Sequence, residues 1–432
     1  MIDLFTADTA RDGRDDLVRS LAAFTWNGRQ TEVAAHRSSD ASHELPVLTN
    51  EFWTSRQRAA SSLHEISYRA CFKPQLPEFF ITRVTEPGDP VYDPFAGRGT
   101  TLLEAALLGR VPMGCDVNPL SQAMVWPRLA PPHVGDVAAR LESLDLDWSE
   151  PPAELLAFYH PDTLAEVCAV RAYLLERDAK GALDEVDAWI RMVTLNRLTG
   201  HSPGFLSVYT LPPNQAVSVQ SQRKINARRQ QTPPRRDLRA IVLRKTRGLL
   251  ADVDEPVRAR LRQARASASF HVGSAATPFW PSESVQLIVT SPPFLDVVDY
   301  ATDNWLRAWF CGIDVDAIPI ERHARLEDWR AFIAAAFRQF ARLVRPGGFV
   351  AFEVGEVRGG RVQLEDTVVP CGAEAGFTPV CVVINRQTFT KTANIWGVSN
   401  NARGTNTNRI VVFRKAGRAG GAGKSPQCLE TL

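Results

Sequence analysis

A doubly wound α/β sheet carrying a long helical, basic insertion is the fold class that this 432-residue chain predicts, and three observations carry it. Residues 91–118 read as strand, glycine turn, helix, strand and acid, in that order. Residues 285–294 read as an apolar strand broken off by two prolines. Between Asp116 and Gly273 lies far more chain than a βαβ crossover needs.

Taken in order, the first fifty residues are polar, and His36 to His43 reads as a loop or flexible arm, so residues 1–50 are expected to stand apart as an N-terminal arm. In the next segment, Val91-Tyr92-Asp93 leads into Pro94-Phe95-Ala96-Gly97-Arg98-Gly99-Thr100-Thr101 and then a helical stretch closed by Gly109. Glycines at 97 and 99 let backbone approach a ligand closely, and the N-terminus of the following helix favours a negative group. The next strand, ending at Asp116-Val117-Asn118, carries a carboxylate about 20 residues after the glycines, where a βαβ unit binds ribose hydroxyls.

The strand Val285 to Val289 is apolar and β-branched, as in a buried parallel sheet. It runs into Thr290-Ser291-Pro292-Pro293-Phe294. Each proline fixes φ and lacks an N–H, so the ladder stops there and leaves a rigid loop at the carboxyl end of the strand. That loop offers a hydroxyl, uncommitted carbonyls and an aromatic face. Such groups suit a planar base held by its exocyclic amine while a ring stacks on it.

These two segments resemble the S-adenosylmethionine-dependent DNA amino-methyltransferases, in particular the N4-cytosine branch. There Asp-Pro-Phe-x-Gly-x-Gly-Thr-Thr is the cofactor loop and Ser-Pro-Pro-Tyr/Phe the catalytic loop; adenine-directed relatives carry Asp or Asn where this chain has Ser291. The likeness extends over about residues 51–414. It includes Phe72-Lys73-Pro74, which resembles a segment packing over the methionine part of the cofactor. It also includes the strand end Phe270 to Ser274, with Ser274 where the family has an Asp near the adenine. The Arg345-Pro346-Gly347-Gly348 turn before residues 349–352 and the stretch 404–409 before residues 410–413 match as well.

The resemblance implies a Rossmann-like methyltransferase sheet using S-adenosyl-L-methionine and no metal. Lys73, Pro74, Asp93, Pro94, Phe95, Ala96, Gly97, Gly99, Thr100, Thr101, Asp116, Val117, Asn118 and Ser274 would hold the cofactor. Ser291, Pro292, Pro293 and Phe294 would be catalytic. In that reading the flipped base stacks on Phe294, and its amine donates to Ser291 Oγ and the Pro292 carbonyl. The implied product is N4-methylcytosine in DNA. Adenine 6-amino methylation is the alternative, with an RNA methyltransferase or a non-catalytic DNA-binding protein further off. No residue stands out as a general base; Asp296 and Asp299 read equally as helix caps or DNA contacts.

The insertion, residues 131–265, is mostly helical from Val137 to Leu198. Leu155, Leu156 and Tyr159 fall at helical spacing, as do Leu164, Val167 and Val170, with Asp162 placed to cap. A Gly/Pro-rich loop with aromatics follows from Thr199 to Pro213, and then Arg223, Lys224, Arg228, Arg229, Arg235 and Arg236 open a dense basic run. Net charge is only +2, so any surface for nucleic acid has to come from such local clustering. Arginines beside aromatics and amides suit phosphates and grooves, which makes this the expected DNA-recognition lobe.

The implied division is an arm (1–50), a cofactor half (51–130), the insertion (131–265), a catalytic half (266–414) and a disordered Gly/Lys tail (415–432). With 44% hydrophobic and 23% charged residues the chain can bury a large core. No apolar run approaches membrane length, and the first residues lack a basic and an apolar region. Seven cysteines without a Cys-x-x-Cys pair argue against a disulfide framework or zinc site. Cys371 after Pro370 reads as a small buried residue in a loop, and His64 as structural or a contact of the cofactor lobe. A cytoplasmic enzyme with double-stranded DNA as partner, and a cognate restriction endonuclease as a second candidate, is the expectation.

Overall fold

The computed structural model describes residues 13–37, 44–53, 60–68, 71–210, 216–293, 300–319, 325–354, 356–357, 362–386 and 407–417. Helix α1 (Gly13–Ala22) opens the described chain, followed by a two-residue hairpin, β1 (Thr25–Trp26) and β2 (Arg29–Gln30). Strands β3 (Glu32–Arg37) and β4 (Glu44–Asn50) come next. After them run α2 (Gln75–Val84), β5 (Pro90–Asp93), α3 (Thr100–Leu107), β6 (Val111–Asp116) and α4 (Pro119–Leu129). A helical lobe follows with α5 (Val134–Ser143), α6 (Pro161–Ala179), α7 (Glu185–Leu195), α8 (Val219–Arg229), α9 (Leu238–Leu249) and α10 (Glu255–Ser267). The chain re-enters the sheet through β7 (Ser269–Val272) and β8 (Val285–Thr290), then α11 (Tyr300–Cys311), α12 (Leu326–Leu343) and β9 (Val344–Val354). A small hairpin, β10 (Glu356–Val357) and β11 (Val362–Gln363), precedes α13 (Glu365–Glu374), β12 (Phe377–Arg386) and β13 (Thr407–Lys415).

Nine strands form one sheet in the order β3-β4-β12-β13-β9-β8-β5-β6-β7. Strands β9, β8, β5, β6 and β7 pair in parallel, while β13 runs antiparallel to both β9 and β12. From β5 the chain winds one way through β6 and β7, and from β8 the other way to β9. The β5/β8 junction is therefore the switch point, where a crevice opens beyond the carboxyl ends of the strands. Alternation along β9 splits its side chains between the two faces: Phe352 packs with Trp329, Phe337 and Phe413, whereas Phe349 and Ala351 pack with Phe79, Val289 and Val412. The sheet is covered on both sides.

Several expectations are corrected. Residues 32–37 and 44–50 are strands of the main sheet, β4 pairing parallel with β12, and α1 buries Leu17, Val18 and Leu21. Over its described part the N-terminal stretch is an edge of the core, not an arm. Its polarity reflects an edge strand with one wet face. The Leu155–Tyr159 stretch is a 3-10 turn (Ala153–Ala157) rather than an α-helix, leaving Leu156 exposed. His160, not Asp162, caps α6: its Nδ1 accepts from the Asp162 N–H at 3.3 Å. Cys371 is buried within α13, not in a loop. The expected turn at Arg345–Gly348 is absorbed into β9 as an irregularity, with Gly347 at φ +81°. Lys415 still belongs to β13; residues 418–432, like Pro212 and Pro213, lie outside the described residues.

Candidate active site at the carboxyl ends of the central strands

A cleft of about 840 Å³ opens at the switch point. Pro94, Phe95, Ala96 and Gly97 from the glycine turn line it with Thr100 at the start of α3, Asp116 at the end of β6, Val117 and Asn118 after it, and Ser274 after β7. Ser291 and Pro293 after β8 complete the wall. Residues from distant parts of the sequence thus share one cavity.

The turn is built around two glycines in the left-handed region. Gly99, at φ +75°, is the residue before α3, and a Cβ there would sit 2.3 Å from Val125 Cγ2. Gly97, at φ +51°, lies close to Tyr68 and Cys71. Its N–H donates to Asp116 Oδ2 at 2.7 Å, and the Asn118 N–H donates to Oδ1 at 2.8 Å. Burial raises the Asp116 carboxyl above its ordinary range, while these bonds pull it back. Asn118 also caps α4 through its side chain.

Asp93 and Thr101 lie behind the wall. Thr290 Oγ1 donates to Asp93 Oδ1 at 2.6 Å, the Phe95 N–H donates to the same oxygen, and Thr101 Oγ1 donates to the Val289 carbonyl at 3.1 Å. These bonds weld the glycine turn to the end of β8. Burial pushes the Asp93 carboxyl up to about 7. Pro292 is buried, and Phe294 lies outside the described residues, as do Asp296 and Asp299. Pro74 precedes α2. Lys73, beside it, is partly buried, and burial and then Arg98 push its ammonium pKa down.

Two buried arginines without a signal of their own in the sequence, Arg98 and Arg128, support the site. Arg98, between the two glycines, is buried and donates to the carbonyls of His64, Ile66 and Phe72 and to Thr100 Oγ1. It thereby straps Tyr68, Cys71 and Phe72 onto the cleft they line. Arg128 is wholly buried behind it and donates to the Arg98 carbonyl. His64 is also buried and meets Glu104 at 2.8 Å. Burial lowers the imidazole and raises the carboxyl to about 7.

Trp329 Nε1 donates to the Pro293 carbonyl at 2.9 Å, and the Ser291 hydroxyl hydrogen-bonds the buried Glu353. Glu353 does carry a legible signal, being the lone acid in an apolar strand. Trp329 carries none; any amphipathic helix buries such a residue.

Of the expected DNA contacts, Arg223, Lys224, Arg228 and Arg229 are exposed on α8. That helix buries only Gln222. It is held by amides: Gln222 and Gln231 donate to the Tyr209 carbonyl, and Asn226 donates to the Ala157 carbonyl. Arg229 lies 3.7 Å over the Tyr209 ring. Arg235 is instead committed to Glu166 and Asp162 of α6, and Arg236 is half-buried. Among the described residues no group of three or more His, Cys, Asp or Glu is arranged to hold a metal, and no helix is long and apolar enough to cross a membrane.

Comparison with known proteins bears on this geometry. Residues 18–123 match the family model N6_N4_Mtase, described as DNA methylase. The type II methyltransferase M.MjaII of Methanocaldococcus jannaschii is 41% identical over 54 residues, 12% of this chain and 10% of that protein. Among solved structures, TTHA0409 of Thermus thermophilus, in a crystal structure complexed with S-adenosyl-L-methionine, is 24% identical over 34% of this chain and 54% of its own, with a TM-score of 0.22. TrmN of Thermus thermophilus is 13% identical over 84% of this chain and 53% of its own, with a TM-score of 0.31. The chain thus spans a tenth of the matched curated relative and about half of these structures. With TM-scores this low the likeness rests on sequence: residues 18–123, which include the glycine turn and Asp116, are similar to the N6/N4 DNA methylases.

Proposed function

We propose that this chain methylates the exocyclic 4-amino group of cytosine in double-stranded DNA, using S-adenosyl-L-methionine. The observation that carries the reading is the meeting of the Gly97 turn and Ser291 in one cleft. The lining fits the cofactor: Gly97 and Ala96 offer close backbone approach, Asp116 offers acceptors for ribose hydroxyls, and Tyr68, Phe72 and Phe95 offer faces for a ring and a cation. When bound, S-adenosylmethionine supplies an activated methyl group.

The residues of the chain then position and polarise. Ser291 Oγ accepts one amine hydrogen and the Pro292 carbonyl the other, which localises the nitrogen lone pair otherwise delocalised into the ring. The Pro293 carbonyl is taken by Trp329, which fixes the loop. The exposed cations of α8 contact DNA phosphates. Cytosine is favoured over adenine by the Ser291 hydroxyl, because adenine-directed relatives carry Asp or Asn there. The implied setting is cytoplasmic, with a cognate restriction endonuclease as an additional partner.

Mass spectrometry of nucleosides from DNA incubated with the chain and labelled cofactor tests this directly. N4-methylcytosine is expected. Label in 6-methyladenine would overturn the base assignment, and label in 5-methylcytosine the mechanism as well. Ser291→Ala should bind cofactor normally yet lose turnover.

A further inference from the structure

Ser291 has a buried carboxylate behind it. Parallel pairing sets Thr290 opposite Phe352, so the following residues, Ser291 and Glu353, fall side by side at the strand ends. Ser291 hydrogen-bonds Glu353, and from the neighbouring strand Asn408 Nδ2 donates to Glu353 Oε1 at 2.5 Å. Glu353 is 8% exposed. Among the described residues no Lys, Arg or His forms an ion pair with it, and no charged group contributes to its titration. Only burial acts, raising the carboxyl to about 7 against the pull of Asn408 and Ser291. Among the described residues its partners are a hydroxyl that opens on the cleft and an amide that orients it.

We propose that Glu353 is the proton acceptor of the methyl transfer, acting through Ser291 and oriented by Asn408. The inference rests on the reading of the cleft as an amino-methyltransferase site. The amine N–H donates to Ser291 Oγ while the Ser291 hydroxyl donates to Glu353. As the new N–C bond forms and the S–C bond of the sulfonium breaks, the nitrogen becomes cationic. One N–H bond then breaks. Its proton passes to Ser291 Oγ as the serine proton passes to the Glu353 carboxylate. A sulfonium and a carboxylate become a thioether and a carboxylic acid, so charge is conserved. Glu353 later returns its proton to water by the same hydroxyl.

The test uses the full chain. Wild-type kcat should fall about tenfold per pH unit below about pH 7, as the acceptor fills. Glu353→Gln should lower kcat by about 10²–10⁴-fold, abolish that acid limb and leave calorimetric cofactor affinity unchanged. Asn408→Ala removes a bond that favours the ionised carboxyl, so the limb should move to higher pH. Infrared titration supplies a readout without turnover: Asp93 and Glu104 also titrate near 7, so the Glu353 band is the carboxyl component near neutral pH that is lost in Glu353→Gln and shifted upward in Asn408→Ala. If Glu353→Gln fails to fold, the shift in Asn408→Ala alone identifies the band. Wild-type turnover and an unchanged acid limb in Glu353→Gln would overturn the inference alone, and so would the absence of any such band. A wild-type chain that methylates no exocyclic amine would overturn the reading of the cleft along with it.

Discussion

Thr290 Oγ1 and Asp93 Oδ1 lie 2.6 Å apart although 197 positions separate them. Thr290 is the last residue before Ser291, and Asp93 the last before the glycine turn. One buried hydrogen bond therefore sets the spacing between the candidate catalytic loop and the candidate cofactor loop. Transfer between two bound groups depends on such spacing.

That bond gives a pH prediction. The Asp93 carboxyl titrates near 7 in the folded chain, above its ordinary value of 3.8. Its folded pKa is raised, so the native state holds the proton more tightly, and the associated stability is present at low pH and lost as pH rises from about 4 to about 7. Asp93→Asn cannot ionise. Its unfolding free energy relative to wild type should rise across that window and level off above it, as read by urea titrations at several pH values.

Gly99→Ala should cost about 1–3 kcal/mol, because the residue is left-handed and its new Cβ would overlap Val125. Urea unfolding reads the loss, and calorimetry should show weaker cofactor binding alongside it. Wild-type stability would show that the turn relaxes freely.

Asp116→Ala removes the acceptor of the Gly97 and Asn118 N–H groups as well as the expected ribose contact. Cofactor affinity should fall by about 1–3 kcal/mol. Calorimetric titration decides it, and an unchanged constant would place the ribose elsewhere.

Trp329→Phe deletes the donor to the Pro293 carbonyl while keeping an aromatic in the core. The freed carbonyl should loosen the loop, lowering kcat with little change in cofactor affinity. Equal effects on both would mark Trp329 as packing alone.

Charge reversal at Arg223 or Arg228, exposed on α8, should weaken DNA binding and reduce the salt slope by about one for each phosphate no longer neutralised. Arg235→Ala should instead cost stability, since its guanidinium is held by Glu166. Filter binding across a salt series, with thermal unfolding of each variant, separates the two roles.

The sequence by itself determined the βαβ unit with its glycine turn, the proline-broken strand and the helical insertion. In each, the signal is local: a glycine for a left-handed turn, a proline that ends a ladder, apolar residues at the period of the element. Tertiary structure alone decided the rest. Glu353 reaches Ser291, and Trp329 reaches Pro293, only because β9 lies beside β8 and α12 packs over their ends. Arg98 became a strap and Arg235 an ion-pair partner for the same reason: a side chain long enough to go several ways is assigned by its neighbours, not by its own spacing. Likewise the polar first segment joined the sheet because β12 presented an edge to β4, and strand pairing between residues over 300 positions apart leaves no periodicity to read.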